Sequence, residues 1–234
     1  IKVIHSPKFM RDPRAAEGSI ADNPLHRELL EIARLARHDF MVDVALTRDR
    51  KIAQVFAGDP ELAHAIGAAY VADTMLERID ELADVVITTA AGYPLDLTYY
   101  QTIKGVTAAS HIVKPGGRIL VLSACTEGVG APEFAAMMER FPDPEAFMAA
   151  TLNAPVEVDQ WQLEKLALVC AKHELHYYVP GLPGRYHAVL WGRSYPSAEE
   201  AIAGVLKGLG GDARVAVIPE GPYVLARAPQ PVLA

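Results

Sequence analysis

Val85-Val86-Ile87 and Ile119-Leu120-Val121-Leu122 are short, wholly apolar runs separated by a polar turn and one helix length of chain. Runs with no polar alternation belong to strands buried on both faces, and two strands joined by a helix lie parallel. From Val85 onward the pattern repeats. Strands are expected at 85–90, 118–123, 175–179 and 214–218, and helices at about 96–112, 132–140, 144–151, 158–173 and 197–209. The fold class is therefore α/β, a Rossmann-like and mostly parallel sheet covered by helices on both faces.

A smaller α+β portion precedes it. Ile1-Lys2-Val3-Ile4 reads as a strand, and Pro7, Pro13, Gly18 and Asn23 break the segment that follows. Asn23 is a good helix N-cap and Pro24 suits the first turn, so a helix is expected to about Arg37. Residues 40–46 and 52–57 form a hairpin about the polar turn Arg48-Asp49-Arg50. Gly58-Asp59-Pro60 opens a helix over 61–70, and a second helical pattern, 74–83, leads into the first strand of the sheet. The division falls between residues 1–78 and 79–234. Because the chain opens on isoleucine inside a strand-like run, it is expected to be a carboxy-terminal portion of a longer protein.

Composition narrows the partners. A net charge of -7 without a Lys/Arg-rich run argues against nucleic acid or an anionic membrane surface. No apolar run approaches bilayer-spanning length and no signal-peptide pattern opens the chain, so a cytoplasmic, enzyme-like protein is expected. Two cysteines make neither a disulfide framework nor a zinc pattern.

The chemistry gathers after the first sheet strand, in Gly92-Tyr93-Pro94-Leu95-Asp96 and Tyr99-Tyr100-Gln101-Thr102-Ile103-Lys104-Gly105. Ligands of open parallel sheets sit beyond the carboxyl ends of the strands, where this loop and helix start fall. Gln101 and Lys104 are three residues apart and share a helix face, so amide and ammonium can together hold a small carboxylate. A solvated face with an ordinary lysine is the alternative. Cys125 is read as a buried filler ahead of a nucleophile, and Trp161 as a core anchor ahead of a lid over a ligand. Gly116-Gly117 and Gly128-Val129-Gly130 lack the spacing of a phosphate loop. His5, taken alone, is a surface histidine or a ligand at a strand's exit, and the eight histidines form no local metal motif.

These blocks, together with Gly18 to Asn23-Pro24, Ala57-Gly58-Asp59, Ala63-His64, Asp159-Gln160-Trp161 and Pro219-Glu220-Gly221-Pro222, resemble in order the nickel-pincer lactate racemases and their relatives. The resemblance covers essentially the whole chain, and the stretch from Gly92 to Lys104 is its most specific part. It implies a two-domain racemase or epimerase of lactate-like 2-hydroxy acids. Hydride would leave the substrate C2 for a nickel-pincer nucleotide derived from nicotinate, giving a ketoacid, and return to either face.

Carried over by position, His5 matches the nickel-ligating histidine, Tyr100, Gln101 and Lys104 match substrate-site residues, and Trp161 matches the apolar wall. The family's cofactor-tethering lysine, proton-transfer histidines and carboxylate-binding arginine would lie upstream of Ile1. Residues 1–78 are then a remnant of an amino-terminal, cofactor-binding domain, and the chain alone is expected to be inactive without that missing domain. Two other readings stay open. One is a non-catalytic α/β module binding a small carboxylate through Gln101 and Lys104, and the other an ordinary nucleotide-binding Rossmann domain.

Overall fold

The structure, a computed structural model, describes residues 2–228. Its first segment holds α1 (Pro7–Met10), α2 (Pro24–Leu35), the antiparallel hairpin β1 (Met41–Leu46) and β2 (Ile52–Gly58), and α3 (Pro60–Met75). Asn23 caps α2 by accepting from the Leu25 and His26 amides at 3.0 and 3.3 Å, and Asp59 does the same for α3. The strand expected at the start is absent: residues 2–5 form turns, and Ile1 lies outside the described residues.

The second segment holds β3 (Leu76–Arg78), β4 (Ala83–Thr89), α4 (Tyr99–Ser110), β5 (Val113–Leu122), α5 (Pro132–Arg140), α6 (Pro144–Thr151), α7 (Gln160–Cys170), β6 (Glu174–Tyr178), α8 (Gly184–His187), β7 (Arg193–Ser194), α9 (Ala198–Leu206), β8 (Val215–Ile218), a 3-10 turn (Gly221–Tyr223) and β9 (Leu225–Arg227). β4 to β8 make one five-stranded, wholly parallel sheet in the order β7-β6-β5-β4-β8. The helix expected over 74–83 is not formed. α3 runs unbroken to Met75, and Leu76–Arg78 instead pairs in parallel with Leu225–Arg227. A backbone ladder to a segment some 150 positions away outweighs local helical spacing, because a strand's amides need partners wherever they lie.

The core lies on both sheet faces. Tyr99, Ile103, Phe134, Phe147, Leu163 and Leu166 pack from α4 to α7 onto one face, while Ala201 and Val205 of α9 cover Val85 and Leu120 on the other. Complete burial of side chains such as Ile103 and Leu120 contributes on the order of 2 kcal/mol each. The strand order reverses at β4, with β5 on one side and β8 on the other, so the topological switch lies between the carboxyl ends of β4 and β8.

Candidate active site

A ligand entering at the switch point would meet protein. Thr88 and Thr89, at the end of β4, donate their hydroxyls to the Ile218 and Pro219 carbonyls at 3.2 and 2.5 Å. Gly221 then sits so close that an added Cβ would lie 2.5 Å from Thr88 Oγ1, 2.7 Å from the Thr89 carbonyl and 2.9 Å from Gly105 Cα. The Pro219-Glu220-Gly221-Pro222 turn therefore plugs the crevice a dinucleotide would use.

The start of α4 is likewise engaged. The Tyr99 and Tyr100 amides donate to the Gly128 and Val129 carbonyls at 2.9 Å each, and Thr98 caps the helix through Gln101 N–H. Those are the orphan donors a phosphate would require. The Gly128-Val129-Gly130 run thus serves the helix as acceptors, and the nucleotide-binding Rossmann reading loses both its crevice and its helix start. Gly116-Gly117 lies at the opposite end of the sheet, where a Cβ on Gly117 would stand 2.8 Å from the Asp84 carbonyl.

What remains open is the flank of α4. Lys104 is exposed there, and unlike Lys114 and Lys165, which pair with Asp84 and Glu17 at 2.7 Å, it has no carboxylate partner among the described residues. It borders a cavity of about 420 Å³ that reaches Trp161 on α7, His111 at the end of α4, and Tyr223 and Leu225 beyond the plugging turn. Gln101, one turn earlier, holds a buried amide oxygen with no hydrogen-bond partner. A buried acceptor left unpaired costs about 1–3 kcal/mol. Gln101 is not among the residues that line the cavity, and its oxygen lies beneath the surface that Lys104 borders.

Trp161 forms part of the cavity wall. It is half-buried rather than a core anchor: its ring stacks on His5 at 5.2 Å and 18°, and meets Tyr100 edge-on at 6.1 Å. Tyr100 in turn packs edge-on against Phe134 at 5.1 Å. The main chain of the same tyrosine accepts from Gln162 Nε2 at 2.7 Å, and its hydroxyl lies 3.4 Å from Asp159 Oδ1. Burial, reinforced by the Asp159 charge, pushes the Tyr100 phenol up to about 12, so it stays protonated and donates to that carboxylate. Burial lowers the His5 pKa, with the Asp159 carboxylate opposing. The structure thus gathers His5, Tyr100, Gln101, Lys104 and Trp161 about one end of α4 and α7.

Other candidates fall away. Cys125 is fully buried at φ +49°, its sulfur within 3.5 Å of the Ser123 and Thr102 hydroxyls, and burial raises its pKa. It is a core filler. The sequence did not point to a half-buried polar group beside the cavity, in which Glu17 pairs with Lys165 at 2.7 Å and stands 3.6 Å from His111. No local spacing links these three positions, so only the fold reveals them.

Comparison with known proteins decides the family. Residues 79–226 match the family model described as the lactate racemase C-terminal domain. The chain belongs to the lactate racemase family. It is 32% identical to the lactate racemase of Lactiplantibacillus plantarum over 97% of its length, and 30% identical to that of Thermoanaerobacterium thermosaccharolyticum over 95%. The lactate racemase apoprotein from the latter organism superposes with a TM-score of 0.89 at 30% identity, over 95% of this chain and 54% of that one. A Thermotoga maritima protein at 10% identity and a TM-score of 0.61 shares the fold. The chain spans about half the length of the curated relatives it matches, 54% and 53%. Among the described residues no helix is long and apolar enough to cross a membrane.

Proposed function

We propose that this chain carries the substrate-site half of a lactate-racemase-type isomerase acting on a small 2-hydroxy acid. The observation that carries the reading is the pairing of an unpartnered Lys104 ammonium with an unpartnered, buried Gln101 amide oxygen one helix turn away. A 2-hydroxy acid offers the complement, a carboxylate for Lys104 and a hydroxyl hydrogen for Gln101.

The roles follow from chemistry. Lys104 neutralises the substrate carboxylate and orients C2, while Gln101 accepts from the hydroxyl. Hydride can leave C2 only as the hydroxyl proton passes to a base, a role for the proton-transfer histidines expected outside this chain, and the ammonium favours the alkoxide so formed. Trp161 and Tyr100 form the apolar wall that keeps water from the reacting carbon. A planar ketoacid anchored by its carboxylate can present either face, which racemisation requires.

The donor set of this chain fits a nickel-pincer nucleotide in a limited way. Among the described residues no three His, Cys, Asp or Glu side chains gather to hold a metal, so the chain offers one imidazole, His5, to a metal whose other donors come from the cofactor. When bound, such a group supplies reversible acceptance of the hydride from C2.

Residues 1–78 then belong with an amino-terminal, cofactor-binding domain, and residues 79–234 form the substrate-site domain. The first segment's exposed apolar face supports this: Val42, Val44 and Leu46 of β1 stand beside Val55 and Ile52 of β2, from 39% to 64% exposed. Contiguous apolar surface of that kind marks a contact face.

In the complete enzyme, Lys104→Ala is expected to lower kcat/KM for lactate by about 100-fold or more while the melting temperature holds, since the side chain is exposed. Unchanged turnover would remove Lys104 from the site. Carboxylate binding without isomerisation by a nickel-loaded complete protein would favour the non-catalytic module instead.

A further inference from the structure

His5 sits two residues before α1, a helix of only four residues, so something other than helix stability must fix its ring over Trp161. Aromatic stacking alone is worth about 1 kcal/mol, too little to order a half-buried imidazole near the start of a turn.

The next contact along α1 is far stronger. Arg11, the C-cap of α1, reaches Glu164 of α7 with a two-pronged pair, Nε to Oε2 at 2.7 Å and Nη2 to Oε1 at 3.1 Å. Two further donors are used as well, Nη1 on the Met148 carbonyl at 2.9 Å and Nη2 on Thr151 Oγ1 at 2.7 Å. The Glu164 side chain is 0% exposed, and its Oε1 also accepts from Gln160 Nε2 at 3.0 Å. Gln160 is itself held, its Oε1 accepting from the Glu157 amide at 3.0 Å. Four of the five Arg11 N–H donors and both Glu164 carboxylate oxygens are therefore engaged, which fixes the geometry of the pair.

The register explains the consequence. Trp161 and Glu164 are three apart on α7 and so neighbour one another on one helix face. His5 meets the first and Arg11 the second, while between them the turn is closed by bonds from the Phe9 and Met10 amides to the Ser6 carbonyl at 3.0 and 2.9 Å. Pro7 and Met10 are buried beneath. The segment is thus attached to α7 at two matched points, one aromatic and one ionic.

We propose that Arg11 and Glu164 are positioning residues that hold the His5 imidazole over Trp161, tying the metal donor of one segment to the substrate wall of the other. A buried ion pair is weak evidence for stability, since a well-packed apolar pair often serves as well, but it fixes one geometry. The effect on metal binding rests on the reading of His5 given above. The position of the ring does not.

The test uses the complete protein with isotope-labelled histidine. His5 ring signals are assigned by their loss in His5→Ala, and the upfield displacement caused by Trp161 is defined by its loss in Trp161→Leu. The double variant Arg11→Met, Glu164→Gln removes the ion pair without stranding a buried charge, and Arg11→Lys keeps the charge while losing the fork. The expected result is collapse of the His5 displacement in the double variant and a partial collapse in Arg11→Lys, with far-UV circular dichroism unchanged. Nickel affinity should fall about tenfold or more, as supporting groups around metal ligands typically require, with KM for lactate within about twofold of wild type. A wild-type His5 signal in both variants would overturn the proposal. Collapse of the signal with unchanged nickel affinity would support the clamp and remove His5 as the nickel donor instead.

Discussion

Residues 2–75 and residues 83–227 are built to different standards. The sheet domain encloses two layers of wholly buried side chains, whereas the first segment contributes none of them, and among its large apolar side chains Leu29, Ile32, Leu35, Phe40, Val42 and Ile66 stand exposed. A two-stranded hairpin backed by helices is marginal in isolation. The part that carries Lys104 and Gln101 has its own core on both sheet faces, and the segment that carries His5 is joined to it by contacts such as Arg11 with Glu164. A site placed on that border joins a rigid half to a half that needs a neighbour.

The same substitution in the two regions gives the widest contrast. A Cβ on Gly105 of α4 would stand 2.6 Å from the Thr89 carbonyl, a backbone atom that cannot turn aside. Gly105→Ala is expected to cost about 3 kcal/mol through overpacking, despite alanine's better helix propensity. On α3, Gly67→Ala meets the Phe56 ring at 3.1 Å, and that ring can shift. Propensity and crowding should there cancel to within about 1 kcal/mol. Denaturant midpoints for both variants make the comparison; equal losses would mean that the first segment is packed as tightly as the sheet domain.

Acid is expected to act on the sheet domain first. His176 of β6 is 1% exposed, its Nδ1 lies 2.8 Å from the Tyr195 hydroxyl, and burial lowers its pKa, with Glu174 opposing. His111 and His173 shift the same way, each chiefly through burial. Below the unfolded value of about 6.5 the unfolded chain takes up protons that the folded chain refuses. Stability is therefore full above about pH 6.5 and declines as pH falls toward the depressed folded values. His176→Phe should flatten the drop in melting temperature between pH 7 and 5.5. His26→Gln should change it less, because His26 lies half-exposed against His64 on the surface where α2 meets α3. A steeper response to His26→Gln would reverse the ranking of the two regions.

How far the sequence disclosed this molecule depends on where each partner lies. β4, β5 and β6 are legible because runs such as Val85-Val86-Ile87 are buried and need no distant information, whereas β8, an edge strand with Val215 and Val217 exposed, is legible from its β-branched residues. The face shared by Gln101 and Lys104 was legible from spacing along one helix. β3 and β9 were not: Leu76-Glu77-Arg78 and Leu225-Ala226-Arg227 are too short and too charged to show a strand pattern, and each is defined by the other. Trp161 was assigned to the core because an aromatic on an apolar helix usually lies there, and its true neighbour, His5, is 156 positions away. The plug at the switch point was visible only as a turn motif, since its function depends on Thr88, Thr89 and Gly105 meeting Gly221 in space.

The smallest effect on this chain tests the largest claim about it. Val42, Val44 and Leu46 alternate along β1, and their cross-strand partners Ala57, Val55 and Ile52 put a continuous apolar face on the hairpin, opposite the face through which Phe56 packs on α3. In the 234-residue chain, Val42→Thr with Val55→Thr should change stability by no more than about 0.5 kcal/mol, because both side chains are already in water. If the face is covered by an amino-terminal domain in the complete protein, the same pair of changes removes buried apolar area there and should cost about 1–3 kcal/mol. Thermal melts of both forms give the comparison directly. A negligible effect in the complete protein would mean that the face is open to solvent in both, and the first segment's exposed apolar surface would no longer support its assignment to a larger domain.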